Sequence, residues 1–124
     1  MKTIPLRLIA YARSGDKGSH ANIGVLAYTK EGYDFLQHYL TIDCVDQYFK
    51  PLGVHRTVRY ELPNLWAFNF VLLGVLDGGG SCSLRTDSQG KALGQILLEI
   101  PISIPEDIFQ KSILTQPLYG SDTL

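Results

Sequence analysis

The chain has 124 residues, of which 45% are hydrophobic and 19% charged, with a formal net charge of −1. That length supports one core without staples, and the lack of a basic excess argues against non-specific DNA or RNA binding. Cys44 and Cys82 are too few for a disulfide framework and have no metal-ligand spacing, so reduced thiols in a cytoplasmic protein are expected, with no metal and no cofactor.

Met1 to Pro5 lacks the apolar stretch of a signal peptide. Leu6, Leu8, Ala10 and Ala12 then alternate with Arg7, Ile9, Tyr11 and Arg13, which predicts a strand with one buried face. A polar loop punctuated by glycines follows, from Arg13 to Asn22. Ile23 to Tyr28 is a short apolar run and predicts a second strand. The period then changes. Phe35, Leu36, Tyr39 and Leu40 lie at helical spacings, so Glu31 to Leu40 reads as an amphipathic helix. Asp43 can cap a second helix with a stripe of Val45, Tyr48 and Phe49, stopped by Pro51 and Gly53.

Val54, Val58, Tyr60 and Leu62 alternate with His55, Thr57, Arg59 and Glu61 in a further strand, ended by Pro63. The polar set, His55 included, is expected to be solvated. Asn64 to Leu76 is either a capped buried helix or a buried strand, and its length and the Asn64 cap favour helix. Its apolar stretch, Leu65 to Leu76, is broken by Asn69 and is too short to span a bilayer, so no membrane contact is expected. After Gly78-Gly79-Gly80, Ser81 to Thr86 and Gln95 to Ile104 predict a hairpin across Asp87 to Gly90. Pro105, Glu106 and Asp107 suit a first helical turn, and a frayed tail ends the chain. The chain therefore reads as a single domain, residues 1–124. Its core is expected at about 4–104, with a short helix and tail over 105–124. The expected class is α+β, a mainly antiparallel sheet with helices on one face. The other sheet face, rich in tyrosine and tryptophan, calls for a homodimer or a hetero-partner.

The candidate chemistry lies in the 13–22 stretch. Gly15 and Gly18 permit tight backbone geometry. Successive N–H groups there can cradle an anion, with Arg13 and Lys17 adding positive charge. Ser14, Ser19 and Asn22 offer hydrogen bonds to a phosphate, a carboxylate or an acyl thioester oxygen. His20 is the natural acid or base of the stretch, with Asp16 to orient it or to pair with Lys17. The competing reading is a tight β-hairpin connection with Asp16 and Lys17 merely solvated. Spacing excludes a Walker loop and a dinucleotide fingerprint, and no nucleophile elbow supports a serine hydrolase. In a second polar-glycine cluster, Asp77 to Arg85, the side chain of Arg85 can also meet an anion. Its competing reading is a flexible connection.

The stretch Ala12-Arg13-Ser14-Gly15-Asp16-Lys17-Gly18, continued by Ala21-Asn22-Ile23-Gly24-Val25, resembles the hallmark of the C-terminal domain of acyclic terpene utilisation (AtuA-type) proteins. Tyr60 to Leu65, Asn69 to Leu72, and Ser83-Leu84-Arg85 with Asp87 and Gly90-Lys91 fit the same pattern, and the resemblance spans roughly residues 5 to 100. It implies a ferredoxin-like α+β sandwich and a setting in the breakdown of branched or terpenoid acids through coenzyme A thioesters. It supplies no catalytic residues, only emphasis on Arg13 to Gly18, Asn22 and Gly24. The large N-terminal domain usually fused ahead of this one is not in the sequence. Trp66 and the Gly78-Gly79-Gly80 segment also depart from the pattern. The function expected is a binding or accessory module that docks a partner resembling that domain and presents the 13–22 stretch to a small anionic ligand. A small enzyme using His20, or a purely structural dimerisation domain, is the alternative.

Overall fold

The computed structural model describes residues 1–74 and 91–114, the side chains at positions 16, 17, 91 and 92 excepted. The predicted strand Ser81–Thr86, its turn, Arg85, Cys82 and the expected frayed tail lie outside the described residues.

The alternation that starts at Leu6 belongs to more than one element. Strand β1 (Lys2–Pro5) leads into a single 3-10 turn, Leu6–Leu8, and strand β2 runs over Ala10–Lys17. Strand β3 (His20–Ala27) returns beside it. Helix α1 (Lys30–Tyr39) starts where predicted, because the Thr29 hydroxyl accepts the Gly32 N–H at 3.0 Å and satisfies one orphan donor. Helix α2 (Ile42–Phe49) is capped by Thr41, whose hydroxyl accepts the Cys44 N–H at 3.1 Å. Asp43, the expected cap, sits in the first turn instead, where a carboxylate suits the positive helix end. A 3-10 turn at Lys50–Leu52 and Gly53, at φ 91°, close this unit.

Strand β4 spans Arg56–Leu62 and β5 spans Ala67–Leu73. The helix expected from Asn64 is therefore a strand. Pro63–Leu65 form one 3-10 turn, Trp66 takes a left-handed φ of 53°, and the chain reverses into β5. Within β5, Phe68, Phe70 and Leu72 are buried and alternate with half-buried Asn69, Val71 and Leu73, the pattern of an inner strand. The long strand expected over Gln95 to Ile104 divides into helix α3 (Lys91–Leu97) and strand β6 (Pro101–Ile104). Leu93 and Leu97, one turn apart and fully buried, form the α3 stripe, so Ile96 and Leu98 mimicked a strand period only by coincidence with it. Helix α4 (Glu106–Ser112) follows Pro105.

Two antiparallel sheets result. β1 pairs with β6, and the larger sheet has the order β2-β3-β5-β4. It consists of two hairpins joined through their inner strands, β3 and β5. The α+β class, with an antiparallel sheet and helices, is as expected. Hydrogen bonds and ring contacts between helices and the larger sheet, among the described residues, all fall on one face. Tyr33 of α1 stacks on Phe68, Thr57 donates to Asp46 of α2, and Ser14 meets Gly94 of α3. The core lies between this face and the helices, around Ile23, Phe70, Leu36, Phe49 and Leu97. No described helix is long and apolar enough to cross a membrane.

Candidate functional site

The polar stretch 13–22 is a β-hairpin, not an open loop. Lys17 pairs with His20 across the two-residue turn Gly18-Ser19, and Gly18 supplies the positive φ, 62°, that such a turn needs. The register continues through Asp16↔Ala21, Gly15↔Asn22, Ser14↔Ile23 and Arg13↔Gly24. This corrects the expectation of an anion-cradling nest. In a strand, successive N–H groups point to opposite edges, so they cannot converge on one guest. The hairpin reading is the one the structure supports.

Strand alternation also divides the predicted residues between two faces. Ser14 lies on the helix-covered side, where its hydroxyl accepts the Gly94 N–H at 3.3 Å. Gly94 lies in helix α3, so Ser14 ties the hairpin to that helix through its backbone. An added Cβ on Gly94 would lie 3.0 Å from the Ser14 hydroxyl oxygen, which shows how closely α3 rides on β2. The register puts position 16 opposite Ala21, on the face away from position 20. Arg13, Gly15, Asn22 and His20 take the opposite, helix-free face, with position 17 alongside by register.

That face is ordered in rows across the four strands. Tyr11, Leu26, Ala67 and Leu62 form one; Arg13, Gly24, Asn69 and Tyr60 the next; Gly15, Asn22, Val71 and Val58 the third. Position 17 faces His20 and Leu73 faces Arg56 at the far end. Gly15 and Gly24 leave the surface low beside the exposed side chains of Arg13 and Asn22. The β4 assignment by alternation is reversed by this packing. Val58, Tyr60 and Leu62 face outward, while Thr57 and Arg59, expected to be solvated, turn towards the helices. Arg59 donates to the carbonyls of Gln37 and Leu40 at 3.1 and 2.9 Å, where the end of α1 offers unsatisfied acceptors.

His20 has a partner that sequence did not suggest. Its Nδ1 accepts the backbone N–H of Gly74 at 3.2 Å, with the Ser19 hydroxyl 3.5 Å away. A neutral imidazole accepting at Nδ1 carries its proton on Nε2. His20 thus presents a donor, not a base, to the open face. On the other side of Gly74, at φ 80°, the His55 ring packs so closely that a Cβ would meet its Nδ1 at 2.5 Å. Both histidines were read alone, because 35 residues of sequence hide their meeting at the end of β5.

Charge is sorted between the faces. Lys2, Arg7, Lys30, Lys50 and Arg59 each pair with a carboxylate. Arg13 and Arg56 have no carboxylate partner among the described residues, and none of the open-face positions in the described strands is Asp or Glu. Arg56 and Tyr60 are the functional candidates that sequence reasoning missed. The signal was the parity of β4, legible only once the buried parity is known. Cys44 offers no nucleophile, since burial pushes its thiol up. Among the described residues no group of three metal-ligating side chains gathers. A separate, wide groove of about 560 Å³ between α1 and α4 is lined by Phe35, Tyr39 and Ile108 and includes none of the predicted site residues.

Residues 4–103 match the family model described as AtuA ferredoxin-like domain. None of the curated proteins and none of the solved structures compared with the chain matches it.

Proposed function

The chain belongs to the AtuA ferredoxin-like domain family, and from that premise we propose that it is a binding module rather than a self-sufficient catalyst. It docks on a partner resembling the large domain that accompanies this one in AtuA-type proteins. At that interface it meets a small anionic ligand, a carboxylate or acyl thioester, through the open face of its sheet. The observation that carries this reading is a four-stranded sheet whose helices, among the described residues, lie on one face, while the other face exposes Arg13, His20, Asn22 and Arg56. These groups are cations or hydrogen-bond donors suited to an anion. The Nδ1 of His20 is engaged by the Gly74 N–H, which turns the ring's donor side to the open face and favours binding over catalysis.

The test is a calorimetric titration of the chain with a purified AtuA-type N-terminal domain, and thermal melts across a series of acyl-CoA thioesters. Binding of the domain is expected. A ligand at 100 times its dissociation constant adds about 2.7 kcal/mol of stability, and Arg13→Ala is expected to diminish that gain. No binding heat together with no melting shift for any thioester would refute the module.

A further inference from the structure

We infer that the occupant of the open sheet face is an acidic amphipathic helix of a partner protein, and not a second copy of this chain. The inference rests on the docking role proposed above and adds the chemistry of what docks; the carboxylates of such a helix compete with the small anionic ligand for Arg13 and His20.

Charge is the first argument. Arg13 on β2 and Arg56 on β4 are exposed and have no carboxylate partner among the described residues. His20 on β3 adds an N–H donor, held outward because its Nδ1 is engaged by Gly74. Among the described residues the titratable groups at this face are Arg13, His20, Arg56, Tyr11 and Tyr60 by register, and His55 packs nearby against Gly74. A two-fold dimer through this face would bring together two faces that both carry arginines and, among the described strands, no carboxylate. A carboxylate-bearing partner would satisfy them.

Size is the second. The rows span about 15 Å across the strands and about 20 Å along them, at ordinary strand spacing and rise. That span takes one helix of about 13 residues, roughly 20 Å long and about 10 Å wide.

Polarity along the strands is the third. One end is apolar and aromatic, with Tyr11, Leu26, Leu62 and the neighbouring Trp66 exposed or half-buried. The other end carries His20 and Arg56. A helix lying along the strands would seat its apolar residues over the first end and its carboxylates over the second, the pattern of amphipathic helix recognition. The inner strands offer Asn22, Gly24, Asn69 and Val71, with no aromatic ring on which bases would stack, so single-stranded nucleic acid fits poorly.

The test uses the full chain and the purified AtuA-type N-terminal domain, titrated at 50 and 300 mM salt (about a 2.4-fold change in screening length). Roughly tenfold weakening by salt is expected, and roughly tenfold more from Arg13→Glu with Arg56→Glu, both with unchanged melting of the chain alone. Binding that ignores both salt and charge reversal would overturn the acidic helix while leaving docking intact. Absence of binding would remove the docking role and this inference with it. Sedimentation of the chain alone is expected to show no dimer through this face. A dimer lost on Tyr60→Ala, or equal affinity for a labelled oligouridylate, would also overturn it.

Discussion

At Gly74 the backbone takes a φ of 80° while the His55 ring occupies the space of any side chain. Gly74→Ala is therefore expected to lower stability by about 2 kcal/mol or more in urea unfolding, combining left-handed strain with overpacking. Adding His55→Ala removes the collision but not the strain, so only part of the loss is expected to return. Tyr33 gives the opposite case. Its hydroxyl is buried without a hydrogen-bond partner among the described residues, although its ring stacks on Phe68 at 4.8 Å between centroids. Tyr33→Phe keeps the stacking and removes the unsatisfied group, so a gain of about 1 kcal/mol in the same assay is expected. Neither effect was legible in the sequence. A residue's neighbours across the fold decide both, and period-two or helical spacing reports only which side of its own element it occupies.

At the scale of elements, Ser14 joins the hairpin to α3. Ser14→Ala removes the acceptor for the Gly94 N–H and is expected to cost about 1 kcal/mol. Amide exchange should localise the loss, with faster exchange in α3 than in α1, whose cap Thr29 is untouched. The sequence made β3, α1, α2 and β4 readable because each has an uninterrupted period and a capping or breaking residue at its edge. It misread three others for physical reasons. The hairpin at 13–22 is crowded with turn formers, yet only Gly18 and Ser19 make the turn. β5 carries Val71 and Leu73 opposite its buried Phe68, Phe70 and Leu72, so its apolar run imitated a buried helix. Ile96 and Leu98 belong to a helix end whose spacing overlaps the true alternation of Ile100, Ile102 and Ile104. For the proposed site, the sequence singles out this hairpin with Arg13, His20 and Asn22. It could not divide them from Ser14, because the division requires knowing which face the helices cover.

Over the whole molecule, ionisation sets the pH range of stability. Burial raises the Cys44 thiol above its usual 9.0, and burial with nearby Glu99 raises the Tyr48 phenol above 10.0. The Tyr48 hydroxyl also donates to the Ile96 carbonyl at 2.8 Å, which only the neutral phenol can do. For both groups the unfolded chain loses its proton first. Their stabilisation is complete below the unfolded value and fades as pH rises through the folded one. Urea midpoints are thus expected to fall from about pH 9 upward, and Cys44→Ser with Tyr48→Phe is expected to flatten that fall. On the acid side, Glu106 is held low by a hydrogen bond from Gln110 and then by Lys2. Its contribution is present above the ordinary carboxylate range and disappears as pH falls below it; because it is fully exposed, that limb is shallow.

The left-handed turn at Trp66 has one more use. This residue is the chain's single tryptophan, 40% exposed in the turn that joins β4 to β5, so its intrinsic emission is a built-in optical reporter for that end of the sheet. Seating of a partner there would exclude water from the indole and shift the emission to the blue, while a guest lodged in the groove between α1 and α4 would leave the spectrum unaltered.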